Sequence, residues 1–398
     1  MLNFSRITNK FVQEYIRMIF ENFFADSLQL YLYYALAGVF LVQIIYFWGF
    51  FSNFAFSRKK QIAGSSLPVS VVVCARNEYY NLETYLPLIL EQDYPDFEVI
   101  VVNDESDDDT TGLLNDISRQ YPRLKVLHIE ENKNFFKGKK FPLSLGIKSA
   151  QHDIILLTDA DCYPVDKNWI NRMQSHFSNP KTKIVLGYGG YSSRKGLLNK
   201  LIRFDTIMIA LQYFSLAKIG MPYMGVGRNL AYRKSFFLDK KGFANHLKVS
   251  SGDDDLFVNE NATRGNTAIE FAPDSHTVSE PKTDYDSWLF QKKRHATSGR
   301  FYKMKHKFIL TLFPLSTVVF YGLAVAMILL YLNLYTIIIV ATLLIIRLIS
   351  QLIVTKNTMI RLKERNLLLF SPFFEIVFIV FNVYVMFANM TKQQSGWK

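Results

Sequence analysis

The sequence predicts an α/β domain on a parallel sheet, Rossmann-like in plan, attached to about four membrane-spanning helices. Three observations carry that expectation. Long uncharged runs are confined to the two ends of the 398-residue chain. Between them, short β-branched segments alternate with amphipathic helical stretches. Polar residues recur just past the strands, where sheets of this kind hold their ligands.

Composition narrows the alternatives. Hydrophobic residues make up 49% and charged residues 20%, with 34 Phe and 22 Tyr. That is too much charge for spans alone and too much apolar surface for disorder. Two cysteines, Cys74 and Cys162, leave no disulfide framework and no cysteine-rich metal cluster. The net charge of +12 suits nucleic acid, an anionic membrane face or phosphorylated substrates. The basic residues gather beside the apolar runs, and the aromatics lie mostly within them. The footprint of a nucleic-acid binder is therefore missing.

The first apolar run, Ser27 to Phe51, carries no charge and is long enough for the roughly 30 Å hydrocarbon layer. It is too long for a cleavable leader, and no small-residue cleavage site follows it. Arg58, Lys59 and Lys60 come next, which the positive-inside rule assigns to the cytoplasm. Three more runs, at about 308–331, 334–354 and 367–390, form a hairpin turning at Asn333 and a further span. Lys356, Arg361, Lys363 and Arg365 lie between the second and third of these, again cytoplasmic. The expected division is 1–60, 61–305 and 306–398, with the middle part inside the cell. Phe11 to Phe24 reads either as an interfacial amphipathic helix or as a lead-in to the first span. Arg347 lies inside a span. It either snorkels to the cytoplasmic interface or faces a protein interior and marks a functional site.

In the middle part, Val69–Ala75, Phe97–Asn103, Lys125–Ile129 and Asp153–Thr158 read as strands, each of the first three followed by a helical stretch. Continuous apolar strands of this kind argue for a sheet covered on both faces. Past the first, which ends at Ala75, come Arg76, Asn77 and Glu78; past the second, Asp104; past the fourth, Asp159 and Asp161. Residues two apart at a strand end point to one side, so both carboxylates can face one hard cation, Mg2+ or Mn2+. No Gly-rich phosphate loop is present, which leaves a metal ion as the natural partner of a diphosphate. Solvated turn residues would give the same Asp-x-Asp pattern.

Further on, Asp253, Asp254 and Asp255 follow Gly252. One Asp suffices for a helix cap. Three like charges repel, so the surplus suits a general base or a bound cation. Gln291 and Arg294, at i and i+3, share a helix face and can address a phosphate together. A headgroup contact is the simpler reading of that basic helix. The apolar stretch Gly196–Lys218 reads either as a core helix or as a membrane-lying acceptor platform.

Taken together, these motifs resemble the membrane-integrated branch of the family-2 inverting glycosyltransferases, which have the GT-A fold. Ceramide glucosyltransferase-like and poly-N-acetylglucosamine synthase-like enzymes are examples. The resemblance covers about 68–300 and continues through the spans. It implies transfer of a sugar from a nucleotide diphosphate sugar, a uridine one, to a membrane-associated lipid or glycan acceptor in the cell envelope. It implies that Ala75, Asn77, Glu78, Asp104, Lys139, Asp159, Asp253, Gln291 and Arg294 address the nucleotide sugar, that Asp159 and Asp161 hold the cation, and that Asp254 is the catalytic base. Gly225-Val226-Gly227-Arg228-Asn229-Leu230 is similar to the family's acceptor-side loop. One departure stands out: the family's Gln-x-x-Arg-Trp is here Gln291-x-x-Arg294-His295. A smaller ring at 295 argues against processive synthesis, the alternative reading. A non-catalytic transporter or scaffold would instead concentrate polar residues within the spans. Nothing in the residues fixes an oligomeric state.

Overall fold

The structure, a computed structural model, describes residues 27–58, 66–129, 138–247, 249 and 251–391. The Phe11–Phe24 segment and Lys59 and Lys60 lie outside the described residues.

The strands are β1 (Val69–Ala75), β2 (Phe97–Asp104), β3 (Leu124–Ile129), β4 (Ile154–Asp159), β5 (Cys162–Pro164), β6 (Ile184–Leu186), β7 (Gly189–Tyr191), β8 (Leu230–Arg233), β9 (Thr267–Ile269) and β10 (Thr277–Ser279). The helices begin with α1 (Ser27–Ile44), which continues as a π-helical turn into α2 (Ser52–Ala55). They continue as α3 (Tyr79–Leu90), α4 (Thr110–Gln120), α5 (Lys140–Ser149), α6 (Trp169–Ser175), α7 (Leu197–Lys218), α8 (Lys234–Asp239) and α9 (Asp255–Asn261). The last are α10 (Tyr285–Ala296), α11 (Met304–Leu330), α12 (Leu334–Arg361) and α13 (Ser371–Thr391).

The chain divides into two compact units. One joins the described residues up to Gly49 with Ile309–Gln351; the other joins Phe50–Phe308 with the residues from Leu352 onward.

In the larger unit the main sheet runs β3-β2-β1-β4-β8-β6-β9. The first four strands are parallel, as their β-branched runs predict, and β8 is antiparallel to both β4 and β6. The sheet is therefore mixed, a correction to the all-parallel expectation. A second, three-stranded sheet, β5-β10-β7, has no counterpart in the sequence reading. Side chains alternate across the strands. Val71, Val73, Val99 and Val101 pack on one face with Leu82 and Leu86 of α3, Leu114 and Ile117 of α4, and Trp169 of α6. On the other face α5 presses so close that a Cβ on Gly146 would lie 2.6 Å from Val72 Cγ1 and 2.9 Å from Val102 Cγ2. Glycine at 146 permits that contact.

α7 settles as a core helix. Ile207 and Leu211 are 0% and 1% exposed, so the membrane-platform reading fails. Phe54 of α2 stacks on Phe214 of α7 at 4.7 Å, and Leu201 and Phe204 pack on Phe374 of α13. Arg203 of α7 pairs with Glu364 in the loop between α12 and α13, both side chains under 10% exposed. Tyr188 Oη donates to the same carboxylate at 3.1 Å. The basic loop 362–366 is thus fastened to the sheet domain by a buried charge pair.

In the smaller unit, Leu36, Phe320, Ala324, Met327 and Val340 pack from three long apolar helices. Arg347 of α12 is 1% exposed. Its guanidinium donates to Gln43 Oε1 at 3.0 Å and Tyr321 Oη at 3.0 Å, and lies 5.0 Å from the Tyr321 ring centroid. The snorkelling expectation is overturned: dipoles and ring faces from neighbouring helices solvate this charge in place of water. Four helices, Ser27–Ala55, Met304–Leu330, Leu334–Arg361 and Leu368–Val385, are long and apolar enough to cross a membrane.

Candidate functional site

The site forms where β1, β2 and β4 end. Their register pairs Ala75 with Asn103 and Cys74 with Asp159, so the motifs beyond the strands start level. Asn77 adopts a left-handed conformation (φ 55°), which a short polar side chain tolerates best after Gly. Its N–H donates to Ser106 Oγ at 3.0 Å, and its Oδ1 accepts from the Asp107 N–H at 2.7 Å. Glu78 N–H donates to Thr110 Oγ1 and Tyr79 N–H to Asp108 Oδ2, both at 3.2 Å. The two turns are zipped together, and much of their polar content serves that joint.

Asp104 differs. It is 4% exposed, and its Oδ1 has no hydrogen-bond partner among the described residues. Burial first, then neighbouring Glu105, push its carboxyl up to about 6. A buried acceptor without a donor is costly, so a ligand N–H at this point would be well placed.

Asp159 closes β4, and Asp161 sits in the two-residue turn before β5. Strand alternation therefore does not explain their convergence; the tight turn does. Ligand atoms of Asp159, Asp161 and Cys162 all lie within 4.8 Å of one another. Cys162 Sγ is buried against Ser279 Oγ at 2.7 Å, and burial raises its thiol well above the ordinary range. The two carboxylates are the hard oxygen donors of the group. That set suits a hard divalent ion needing further oxygen ligands.

Three cations face these acids. Lys139, just before α5, pairs with Asp159. Arg228 lies 4.2 Å over the Tyr191 ring and donates to Gly190 O at 3.1 Å. Arg294 of α10 is the third, and its Nε has no partner among the described residues. Burial opposes the charge on Asp159, but Lys139, Arg228 and Arg294 outweigh it and hold the carboxyl below its ordinary value. Gln291 Nε2 donates to Tyr191 Oη at 3.4 Å, which brings α10 to the same place. Of its neighbours, Lys292 pairs with Asp205 at 2.7 Å, and Lys293 lies over the Tyr384 ring at 5.2 Å. His295 is exposed.

Gly252, at φ +93°, turns the chain into Asp253–Asp255. Asp254 caps α9, its Oδ1 accepting from the Asp255 N–H at 2.7 Å. Its Oδ2 accepts from the Gly227 N–H at 2.7 Å. Burial, then Asp253 and Asp255, raise its carboxyl to about 8. Asp255 accepts from Ser298 Oγ and from Tyr302 Oη at 2.6 Å.

Two dipeptides each act on both acidic segments. Lys139 holds Asp159, while Lys140, 4% exposed, donates to the carbonyls of His246, Val249 and Ser251 at 2.7–2.8 Å, in the chain leading to Asp253. Gly227 bonds Asp254, while Arg228 acts on the charges of Asp159 and Asp161. Asp253 also acts on Lys139. Lys140 and the role of Arg228 were missed in the sequence. Lys140 reads there as an ordinary solvated base, and Arg228 only as part of the acceptor-side loop.

Residues 70–238 match the model of Glycosyl transferase family 2. The poly-beta-1,6-N-acetyl-D-glucosamine synthase of Staphylococcus epidermidis is 27% identical over 145 residues, 36% of this chain and 33% of the relative. The beta-monoglucosyldiacylglycerol synthase of Synechocystis is 30% identical over 140 residues, 35% of this chain and 27% of the relative. The chain thus spans a third or less of these relatives' length. Among solved structures, a mannosyltransferase from Pyrobaculum calidifontis in complex with GDP-Man and Mn2+ superposes with a TM-score of 0.54 at 19% identity, covering 83% of this chain and 97% of that one. That likeness shows a common GT-A fold.

Proposed function

We propose that this chain, whose residues 70–238 match the Glycosyl transferase family 2 model, is a membrane-embedded inverting glycosyltransferase. It moves a sugar from a nucleotide diphosphate sugar, a UDP-sugar by preference, to a membrane lipid or a glycan held there. The observation that supports this reading is that the Gly227 N–H donates to Asp254 while the adjacent Arg228, with Lys139 and Arg294, acts on the charge of Asp159.

Asp159 and Asp161 would hold Mg2+ or Mn2+, which when bound neutralises charge on the leaving diphosphate. Lys139, Arg228 and Arg294 offer charge-assisted donors to the phosphate oxygens. Asp104 meets a base N–H beside Ala75, Asn77 and Glu78, and Asp253 and Gln291 line the sugar and phosphate. Asp254 takes the proton of the acceptor hydroxyl as its oxygen attacks the anomeric carbon opposite the leaving group. A new carbon–oxygen bond forms, the bond to the phosphate oxygen breaks with its electron pair, and the configuration inverts.

The domain, about 61–305, is cytoplasmic in this reading, with the four apolar helices in the inner or plasma membrane. The burial of Glu364 against Arg203 supports one side for the basic loop and the domain. A second reading, processive synthesis of a poly-N-acetylglucosamine type, draws on the staphylococcal relative. His295 in place of a larger ring weighs against it. The test is nucleotide release by the purified protein in lipid nanodiscs, over a panel of UDP- and GDP-sugars. UDP appearing with one donor, abolished by EDTA and restored by Mn2+ or Mg2+, is expected. Silence with every donor and native lipid sinks the reading. Mass spectrometry of the products separates a single-sugar lipid from a ladder.

A further inference from the structure

The segment joining α10 to α11 and the first turn of α11 together carry four basic residues that the mechanism does not use. Arg300, Lys303 and Lys305 are exposed and Lys307 is half-buried. Interleaved with them, Phe301, Met304 and Phe308 are 43%, 76% and 68% exposed. The guanidinium of Arg300 lies 4.8 Å over the Phe301 ring, and the Lys303 ammonium donates to Glu260 O at 2.9 Å. Bases alternating with exposed apolar side chains, at the start of a 27-residue apolar helix, match the boundary between headgroups and acyl chains.

The same segment is bolted to the acidic cluster. Ser298 Oγ and Tyr302 Oη both donate to Asp255. One turn further along α9, Asn259 Oδ1 accepts from the Lys303 N–H at 2.9 Å, and its Nδ2 lies 3.0 Å from His306 Nδ1. Asp255 directly follows Asp254, the cap of that helix. Displacing 298–306 therefore displaces the start of α9 and the Asp254 carboxylate with it.

We propose that Arg300, Lys305 and Lys307, with Phe301 and Met304 as apolar anchors, form a docking surface for anionic phospholipid headgroups, and that its occupancy sets the position of Asp254. The partner is the anionic leaflet of the membrane that α11 enters. Charge complementarity and continuity with that helix argue for it. The regulatory half of the proposal rests on the glycosyltransferase reading; the binding half does not.

The experiment uses the full chain in nanodiscs of phosphatidylcholine, or of equal parts phosphatidylcholine and phosphatidylglycerol, with an Arg300→Gln/Lys305→Gln/Lys307→Gln variant alongside. Native mass spectrometry reads retained phosphatidylglycerol, and UDP release reads turnover. Each base near an anionic surface is worth about fivefold in affinity, so the variant loses on the order of 100-fold. Wild-type turnover rises with phosphatidylglycerol and falls back in about 1 M salt, where the Debye length is about 3 Å. The variant keeps its phosphatidylcholine rate without that rise. Equal phosphatidylglycerol retention by both proteins, or no lipid preference in the wild type, overturns the docking surface. Lost retention with an unchanged lipid response of turnover overturns the link to Asp254. Lost retention with no UDP release under any condition leaves the surface standing and overturns the enzyme reading instead.

Discussion

Asp254 gives the sharpest test, because its surroundings set both a rate and a pH. Burial and two flanking carboxylates raise its carboxyl to about 8. A base acts only when ionised, so at pH 7 about a tenth of the free protein is competent. Below that point kcat/KM falls tenfold per pH unit; above it, kcat/KM is flat. That limb reports the free protein, whereas kcat reports the donor complex. Lys140 already acts on Asp254, and a cation arriving at Asp159 and Asp161 adds positive charge nearby. The kcat limb should therefore lie at lower pH than the kcat/KM limb, by about a unit or more. Asp254→Asn should cost about 10²–10⁴ in turnover, the usual contribution of a general base, with donor affinity kept and the acidic limb gone. The assay is UDP release across pH 5–9 with donor binding measured separately by calorimetry. A limb near pH 4 in kcat/KM, or an Asn variant within a few fold of wild type, refutes the assignment.

Other expectations follow from buried charges. Lys140→Met strands three carbonyls and should lower stability by on the order of 3 kcal/mol. It should also shift the kcat/KM limb to higher pH, since a positive charge beside Asp254 is removed; Lys140→Arg should restore part of both, and an unmoved limb would make Lys140 purely structural. Arg203→Met leaves Glu364 buried without its partner and should cost about 3–5 kcal/mol, read as a lower melting midpoint. Replacing both residues by apolar ones of similar size should recover most of that loss. Arg347→Met should disturb the smaller unit's packing, seen as a lower melting midpoint, while donor binding at the soluble site is unchanged.

The central strands were legible because each is a continuous β-branched run buried on both faces, as in Val69–Ala75. The strands β5, β6, β7, β9 and β10 are three residues long, too short to show any period. Their pairing comes from partners far along the chain. Arg347 was misread for the same reason: its acceptor, Gln43, lies near the other end of the sequence. The acids at 104, 159 and 161 drew notice because each lies at or just past the end of an apolar strand, and Asp254 because it is one of three consecutive carboxylates. Lys140 was not, since a base beside other bases is normally a solvated one.

That asymmetry bears on how the site works. Lys139, Arg228 and Arg294 hold Asp159 charged, and Lys140 interacts with the charges of Asp253, Asp254 and Asp255. Lys139 neutralises Asp159 while its neighbour Lys140 anchors the chain before Asp253. Gly227 steadies Asp254 while its neighbour Arg228 faces Asp159 and Asp161. A diphosphate drawing Lys139 and Arg228 toward itself would pull on both backbones that fix the base. Donor binding and base ionisation are then linked by geometry, and a substitution at either dipeptide should move donor affinity and the pH limb together. A variant of Lys139 that weakened donor binding while leaving the limb fixed would show that the two groups share a place but not a charge balance.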